Sequence, residues 1–307
     1  MSMVINTNMG AINAQRILDG TTREQTTSME RLTSGLRINK AADDAAGLAV
    51  VTGMKTQSIG TQMAIRNGND SIGMIQTLDG ASEEVVNMLQ RMRELTIQSM
   101  NGTYNNENRA QMQSEFGQLQ KEIVRVADTT KFNGMNIMNS ASFSVLNASA
   151  VNNISFAQVA SGANAFKAHV GWEGGTDNRI GVALMDFNTL RSLVSGGVRL
   201  MSGDPASVTF ASAVGIASAA LSAIDADLAA ISTLRANWGA IQNRLEYTVA
   251  NLQNVDENIN ASRSRIEDAD FAKESANLAR TQVLQQAGMT MLSQSNQNAQ
   301  QVMSLLR

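Results

Sequence analysis

The chain has 307 residues, 24 basic and 27 acidic side chains, and a formal net charge of −3. That length allows one or two domains, and a 43% hydrophobic fraction suffices for a packed core. Aromatics at 4% and a single proline, Pro205, are too few for a sandwich, barrel or ligand-pocket enzyme, which rely on aromatic bulk and turn prolines. The absence of cysteine excludes disulfides, thiolate nucleophiles and zinc–thiolate sites. The lone histidine, His169, excludes a His-pair metal site. The near-neutral charge argues against nucleic acid as the main partner. Residues Met1 to Asn8 lack a basic region followed by an apolar run, so no secretory signal is expected. No uninterrupted run of 18 apolar residues occurs, so no membrane insertion is expected.

In chain order, Ile5-Met9-Ile12, Met29-Leu32-Leu36 and Val85-Leu89-Met92, the last continued by Thr96 and Ser99, follow the three-and-four spacing of amphipathic helices. Ser34-Gly35 and Asn39-Lys40 predict a break between about 34 and 45, and Asn101 to Asn106 a turn. Met112, Phe116, Leu119 and Ile123 place a further helix from Glu107 to about Val126. Residues 131–205 are richer in Gly, Asn and Ser. There Phe143 to Leu146 is a β-like run, and 165–185 reads as a hairpin turning at Gly174-Gly175-Thr176-Asp177-Asn178. Ser202-Gly203-Asp204-Pro205 closes this insert and starts the next helix.

The strongest pattern follows. Ala217, Leu221, Ile224, Leu228 and Ile231, then Leu234, Trp238, Ile241, Leu245, Thr248, Leu252, Val255 and Ile259, form nearly six heptads. One phase slip, from Ile231 to Leu234, reads as a stammer. About 55 helical residues span roughly 80 Å, and the amino-terminal helices must supply partners for that stripe. Thr281 to Leu306 contains no charge but many Gln and Asn residues, with Leu284, Met291 and Leu292 spaced for one helical face. Like residues 1–30, it offers a solitary chain little apolar surface to offset the entropy of ordering. Heptads with under-stabilised ends point to self-association.

No catalytic constellation is present. His169 reads as a structural or surface residue, and Asp43-Asp44 as a helix start whose carboxylates oppose the dipole. Arg265 to Asp270 lacks the EF-hand spacing and reads as a polar junction. Gly174-Gly175 and Gly196-Gly197 are turns, and the Asn101 and Asn153 sequons are short matches of the kind chance supplies. Eighteen methionines read as flexible core filler. No catalytic residue, metal ligand or cofactor is expected.

Several segments together resemble bacterial flagellin. They are Ile5-Asn6-Thr7-Asn8 with Ala11 and Ala14-Gln15, Arg31 to Asn39 running into Ala41 to Ala49, Gln90 to Leu95, and Phe132-Asn133-Gly134. At the other end they are Ser264 to Ala272, Gln285-Gln286-Ala287-Gly288 and Leu305-Leu306-Arg307. The matches cover about 1–140 and 206–307, in order. The resemblance implies a mainly α fold: a long antiparallel coiled-coil rod built from both chain ends, with a small β-hairpin insert at its tip. It divides the chain into an inner terminal-helix pair (1–42 with 266–307), a helical rod (43–140 with 206–265) and an insert (141–205).

The function implied is that of a non-enzymatic subunit which self-assembles into the extracellular flagellar filament for motility. Such a subunit is exported unfolded by the flagellar type III apparatus, and its terminal helices order on polymerisation. Polymerisation contacts are expected at Ile5, Ile12, Leu32, Leu36, Leu284, Leu292 and Leu306. The partners implied are further copies of the chain, the filament cap, hook-junction proteins and an export chaperone. The family is also recognised by an animal Toll-like receptor, at positions matched here by Gln90, Arg91, Leu95 and Glu115. Arg91 and Leu95, four residues apart, are expected on one helical face. The hook–filament junction protein is a nearer relative, disfavoured by the intact carboxyl motif. A surface ligand-binding or adhesive protein on the same scaffold is the alternative of a different class.

Overall fold

The computed structural model describes residues 8–138, 164–184, 187, 200 and 210–305. Five long helices dominate: α1 (Met9–Ser34), α2 (Ala45–Met100), α3 (Asn106–Thr129), α4 (Phe210–Glu267) and α5 (Phe271–Leu305). Two antiparallel strand pairs accompany them, β1 (Lys131–Phe132) with β2 (Met135–Asn136) and β3 (Asn164–His169) with β4 (Arg179–Leu184). The mainly helical fold and the 165–185 hairpin are thus as expected. The β-like run at Phe143 and the closing turn at Ser202 to Pro205 lie outside the described residues. The chain divides into two compact units, Met1–Ile59 with Val255–Arg307, and Gly60–Asn254.

The first unit contains the terminal helices. Asn8 caps α1 by accepting the amide of Ala11, and Gly35 ends it in a left-handed turn, φ 72°, donating its amide to the carbonyl of Arg31. The break that follows is built from side chains. Asp43 Oδ2 accepts the amides of Asn39 and Lys40, both at 3.0 Å, and Asp44 Oδ1 accepts the amide of Gly47 at 2.8 Å, starting α2. The two amide bonds, from Lys40 and then Asn39, hold the Asp43 carboxyl below its ordinary range. The other break, between α4 and α5, meets this one. Leu36 bridges Asp268, Ala269 donates to the carbonyl of Gly35 at 2.9 Å, and the Arg37 guanidinium donates to that of Ile266 at 2.6 Å. Asp270 then caps α5 through the amides of Ala272 and Lys273. Both acidic motifs are helix caps and junction pieces, which is the structural role the sequence favours.

The second unit holds most of the apolar core. Met74, Leu78, Val85, Leu89, Met92 and Leu95 of α2 pack with Met112, Phe116 and Ile123 of α3 and with Ile224, Ile231, Trp238 and Leu245 of α4. Here α2 and α4 run antiparallel: Arg93 pairs with Asp225, Arg235 with Asp79, and Gly68 faces Val249. The approach at Gly68 is so close that a Cβ there would stand 2.7 Å from Val249 Cγ2. Buried Arg109 caps the end of α2, donating to the carbonyls of Ser99 and Asn101, each at 3.0 Å. Asn133 and Gly134 both adopt positive φ, 49° and 77°, which gives the tight two-residue turn between β1 and β2. Strand β4 alternates, with Ile180, Val182 and Leu184 buried, and the Trp238 indole donates to the carbonyl of its Ala183 at 2.6 Å.

One sequence expectation changes, and a second gains a detail. The α4 seam has no stammer: Ala217, Ile224, Ile231, Trp238 and Leu245 are all buried at unbroken seven-residue spacing. The apparent slip arises because the second column carries Arg235 beside Leu234. Arg235 is half-buried, and its guanidinium leaves the seam to reach Asp79 at 2.6 Å and Glu83 at 3.6 Å. Second, α4 from Val214 onward contains an 18-residue window of mean hydropathy 1.6, long and apolar enough by composition to cross a bilayer. Much of that value is alanine. The window is two-sided: Ala217, Ala220, Ile224 and Asp227 are buried, while Asp225 on the open side pairs with Arg93. A stripe of this kind suits a helix that packs on others along one face.

Candidate assembly and recognition surfaces

The terminal pair has an unusual distribution of polarity. Helices α1 and α5 run antiparallel in a constant register: Gly10 lies against Ser295, Leu18 against Gly288, and Arg31 pairs with Glu274 at 2.9 Å. Asn8 and Ser295 exchange hydrogen bonds at 3.2 Å, Asn8 Nδ2 donating to the Ser295 carbonyl and Ser295 Oγ to Asn8 Oδ1. The most buried residues of this seam are polar: Thr21, Ser28, Glu274 and Thr281. A hydrogen bond from Asn277, then the Arg31 guanidinium, holds the Glu274 carboxyl below its usual range. The apolar residues point elsewhere. Met9, Ile12, Ile17, Met29, Phe271, Val283, Leu284, Met289 and Met291 are all exposed. Among the described side chains, Ile38 and Val51 are the only buried hydrophobics of the first unit.

At 100° per residue, Met9 and Met29 lie about 160° apart around α1, and Val283 and Met289 about 120° apart around α5. The apolar surface therefore faces several directions. This corrects the α1 stripe: Met9, Ile12 and Met29 do not line the seam. Of the expected polymerisation contacts, Ile12 and Leu284 are half-exposed, whereas Leu32, Leu36 and Leu292 are partly covered by the subunit's own elements. Ile5 and Leu306 lie outside the described residues. Ile17, Val283, Met289 and Phe271 are exposed as well and are not among those expected contacts. Their signal was present as apolar residues off the seam spacing.

In the second unit, Gln90, Arg91 and Glu115 are exposed together. Arg91 pairs with Glu115 on α3 at 2.9 Å and with Glu94 at 2.9 Å, and these carboxylates, Glu115 first, raise its pKa further. Leu95 is not on this surface. It is buried among Met92, Phe116 and their neighbours, because it continues the Leu89–Met92 stripe that α3 covers. His169 offers its carbonyl to Asn67 Nδ2 at 3.2 Å and stands opposite Arg179 in the hairpin. Among the described residues no group of three or more His, Asp or Glu side chains is placed to hold a metal ion.

The comparisons with known proteins decide the family. Residues 5–142 match the bacterial flagellin N-terminal helical region and residues 221–306 the C-terminal helical region. The chain belongs to the bacterial flagellin family. It is 39% identical over 305 residues to a flagellin of Halalkalibacterium halodurans, covering 99% of this chain and 100% of that protein. It is 34% identical to flagellin D of Vibrio anguillarum over 376 aligned positions, covering all of both chains. A solved Vibrio parahaemolyticus protein described as flagellar hook-associated superposes with a TM-score of 0.54 at 13% identity, covering 74% of this chain and 100% of that one. That likeness concerns the fold alone. As a flagellin the chain is a structural protein of the flagellar filament, not an enzyme.

Proposed function

We propose that this flagellin self-assembles through its terminal pair, which completes its core with further copies of itself. The observation that carries the reading is the inverted polarity of the pair: Thr21, Ser28, Glu274 and Thr281 inside, Ile12, Ile17, Val283, Leu284 and Met291 outside. A two-helix seam with so little buried apolar surface gains little on ordering by itself. Neighbouring subunits that cover the outer residues supply the missing burial, at about 25 cal/mol per Å², so ordering and assembly are linked. Apolar residues on several sides suit a lattice with several neighbours better than a single dimer contact. In this reading 1–42 with 266–307 form the inner lining, 43–140 with 206–265 the surrounding rod, and 141–205 the insert. The uncharged Thr281 to Leu306 stretch gives an exported unfolded chain no fixed charges to adhere to. The cap, hook-junction proteins and an export chaperone engage the same terminal segments before or at assembly, and the product lies outside the cell.

The test is seeded polymerisation of purified monomer followed by electron microscopy, beside a variant lacking residues 281–307. Filaments from the full chain only are expected; filaments from both, or from neither, overturn the assignment of assembly to the terminal pair.

Recognition by a Toll-like receptor is a second reading, supported by the exposed cluster of Gln90, Arg91 and Glu115. Leu95 then acts from beneath, by holding the backbone that presents Arg91. Arg91→Ala should weaken receptor signalling by at least about tenfold, as loss of a charge-assisted interface pair does. Unchanged signalling removes the surface from consideration.

A further inference from the structure

Two sets among the described methionines contrast in their exposure. Met74, Met92, Met112 and Met138 are buried in the second unit. Met9, Met29, Met289 and Met291, all in the first unit, are 50–67% exposed. The second set does not fill a core; it forms part of the apolar surface left open by the polar α1–α5 seam. An exposed thioether is open to two-electron oxidants, and its sulfoxide is polar and chiral. We infer that these four methionines are peroxide-sensitive modification sites whose oxidation blocks addition of the subunit to a filament. The inference rests on the self-assembly reading above.

The chemistry is self-contained once the oxidant is named. Hydrogen peroxide transfers one oxygen to the thioether sulfur. An S–O bond forms as the O–O bond breaks, sulfide is oxidised to sulfoxide, and peroxide is reduced to water. No cysteine competes for the oxidant, because the chain has none. Each sulfoxide adds a strong acceptor that must be desolvated when a neighbour covers it. The positions lie near both ends of α1 and along the uncharged part of α5, on more than one side of the pair. Oxidation therefore affects several lattice contacts at once. The effect should fall on addition to the filament rather than on the core of the second unit, where Met74, Met92, Met112 and Met138 are enclosed; Met63, 46% exposed on that unit, serves as the control whose oxidation leaves elongation unchanged.

The experiment treats monomer with dilute hydrogen peroxide, follows each methionine by peptide mass spectrometry, and measures elongation of filament seeds. Met9, Met29, Met289 and Met291 should oxidise faster than Met92 and Met138. Elongation should fall by at least about tenfold once they are converted. The variant M9L/M29L/M289L/M291L, which keeps side-chain volume nearly constant, should elongate at a peroxide-insensitive rate. Reduction of oxidised wild-type monomer by the two epimer-specific methionine sulfoxide reductases should restore elongation to within about twofold, and that arm holds even if the fourfold variant assembles poorly. Full conversion with undiminished elongation overturns the proposal, as does a failure of the reductases to restore it or oxidation no faster than at Met92. If untreated monomer does not elongate seeds, the self-assembly reading fails first and the proposal falls with it.

Discussion

Asp227 allows a sharp test of how the second unit is held together. It occupies the α4 seam one heptad after Ala220, is 5% exposed, and has no ion pair among the described residues. Burial alone pushes its carboxyl up from 3.8 to about 6. The folded-state pKa is raised, so the favourable state is the protonated one. Its contribution is fully present below the unfolded value and is lost as pH rises through the folded value. Across the window from about 4 to about 6 the unit loses stability, reaching about 3 kcal/mol at neutral pH. Asp227→Asn removes the charge and keeps the shape. A buried amide costs about 1 kcal/mol in turn, so the net gain at pH 7.5 is about 1–2 kcal/mol, or about 3–6 °C in Tm for a unit of this size. At pH 4 the wild-type carboxyl is protonated and only the amide cost remains, so the variant should melt about 2–4 °C below wild type. Urea and thermal unfolding of the full chain, read by the buried indole of Trp238, provide the assay. An offset that is the same at both pH values, or a variant less stable at pH 7.5, refutes the argument.

Three further outcomes are expected. Gly68→Ala should destabilise the second unit by about 1–3 kcal/mol through overpacking on Val249; adding Val249→Ala should recover part of it, and a double-mutant cycle with no coupling would reject the close contact. Trp238→Phe strands the Ala183 carbonyl and should cost about 2–3 kcal/mol, with amide exchange accelerated in β3 and β4 before the helices; an unchanged melt counts against the indole bond. Arg31→Ala should weaken the α1–α5 pair by about 1–2 kcal/mol, since its partner Glu274 is largely buried. Because the Glu274 carboxyl is depressed, that contribution is present above the ordinary carboxyl range and lost as pH falls through its folded value. Hydrogen exchange of α1 in acid reads this directly, and exchange that does not respond to acid would exclude a role for the pair.

The second unit was legible from spacing because its partners are in the same chain. Val85, Leu89, Met92, Met112, Phe116 and Ile123 appear in the sequence at helical intervals and are all buried. Arg235 shows the limit of counting apolar residues alone. A seam position is defined by direction from the helix axis, and a long cation can sit there with its stem packed and its charge outside. Leu95 shows a second limit. Matching it to a recognition surface assigned it outward, whereas it stands three residues after Met92 on the face of α2 that packs against α3, and that packing turns it inward.

The first unit was less legible for a related reason. Periodicity reports burial only when the burying partner is fixed in one direction. On α1 and α5 the buried direction is filled with Thr21, Ser28, Glu274, Thr281 and Gly288, which allow close approach and hydrogen bonding. The apolar residues spread over the remaining directions. Met9, Ile12 and Met29 therefore suggested a seam by their spacing and proved to lie off it. A sequence under pressure to fold alone would place its Leu and Ile residues in that seam. On the self-assembly proposed above, a subunit that stays soluble alone and is covered in a lattice gains from the opposite arrangement, because a weak polar seam leaves the final stabilisation to neighbours. On the assembly proposed above, the amide-rich, charge-free composition of Thr281 to Leu306 has the same use, because burying amides avoids the desolvation cost of ions.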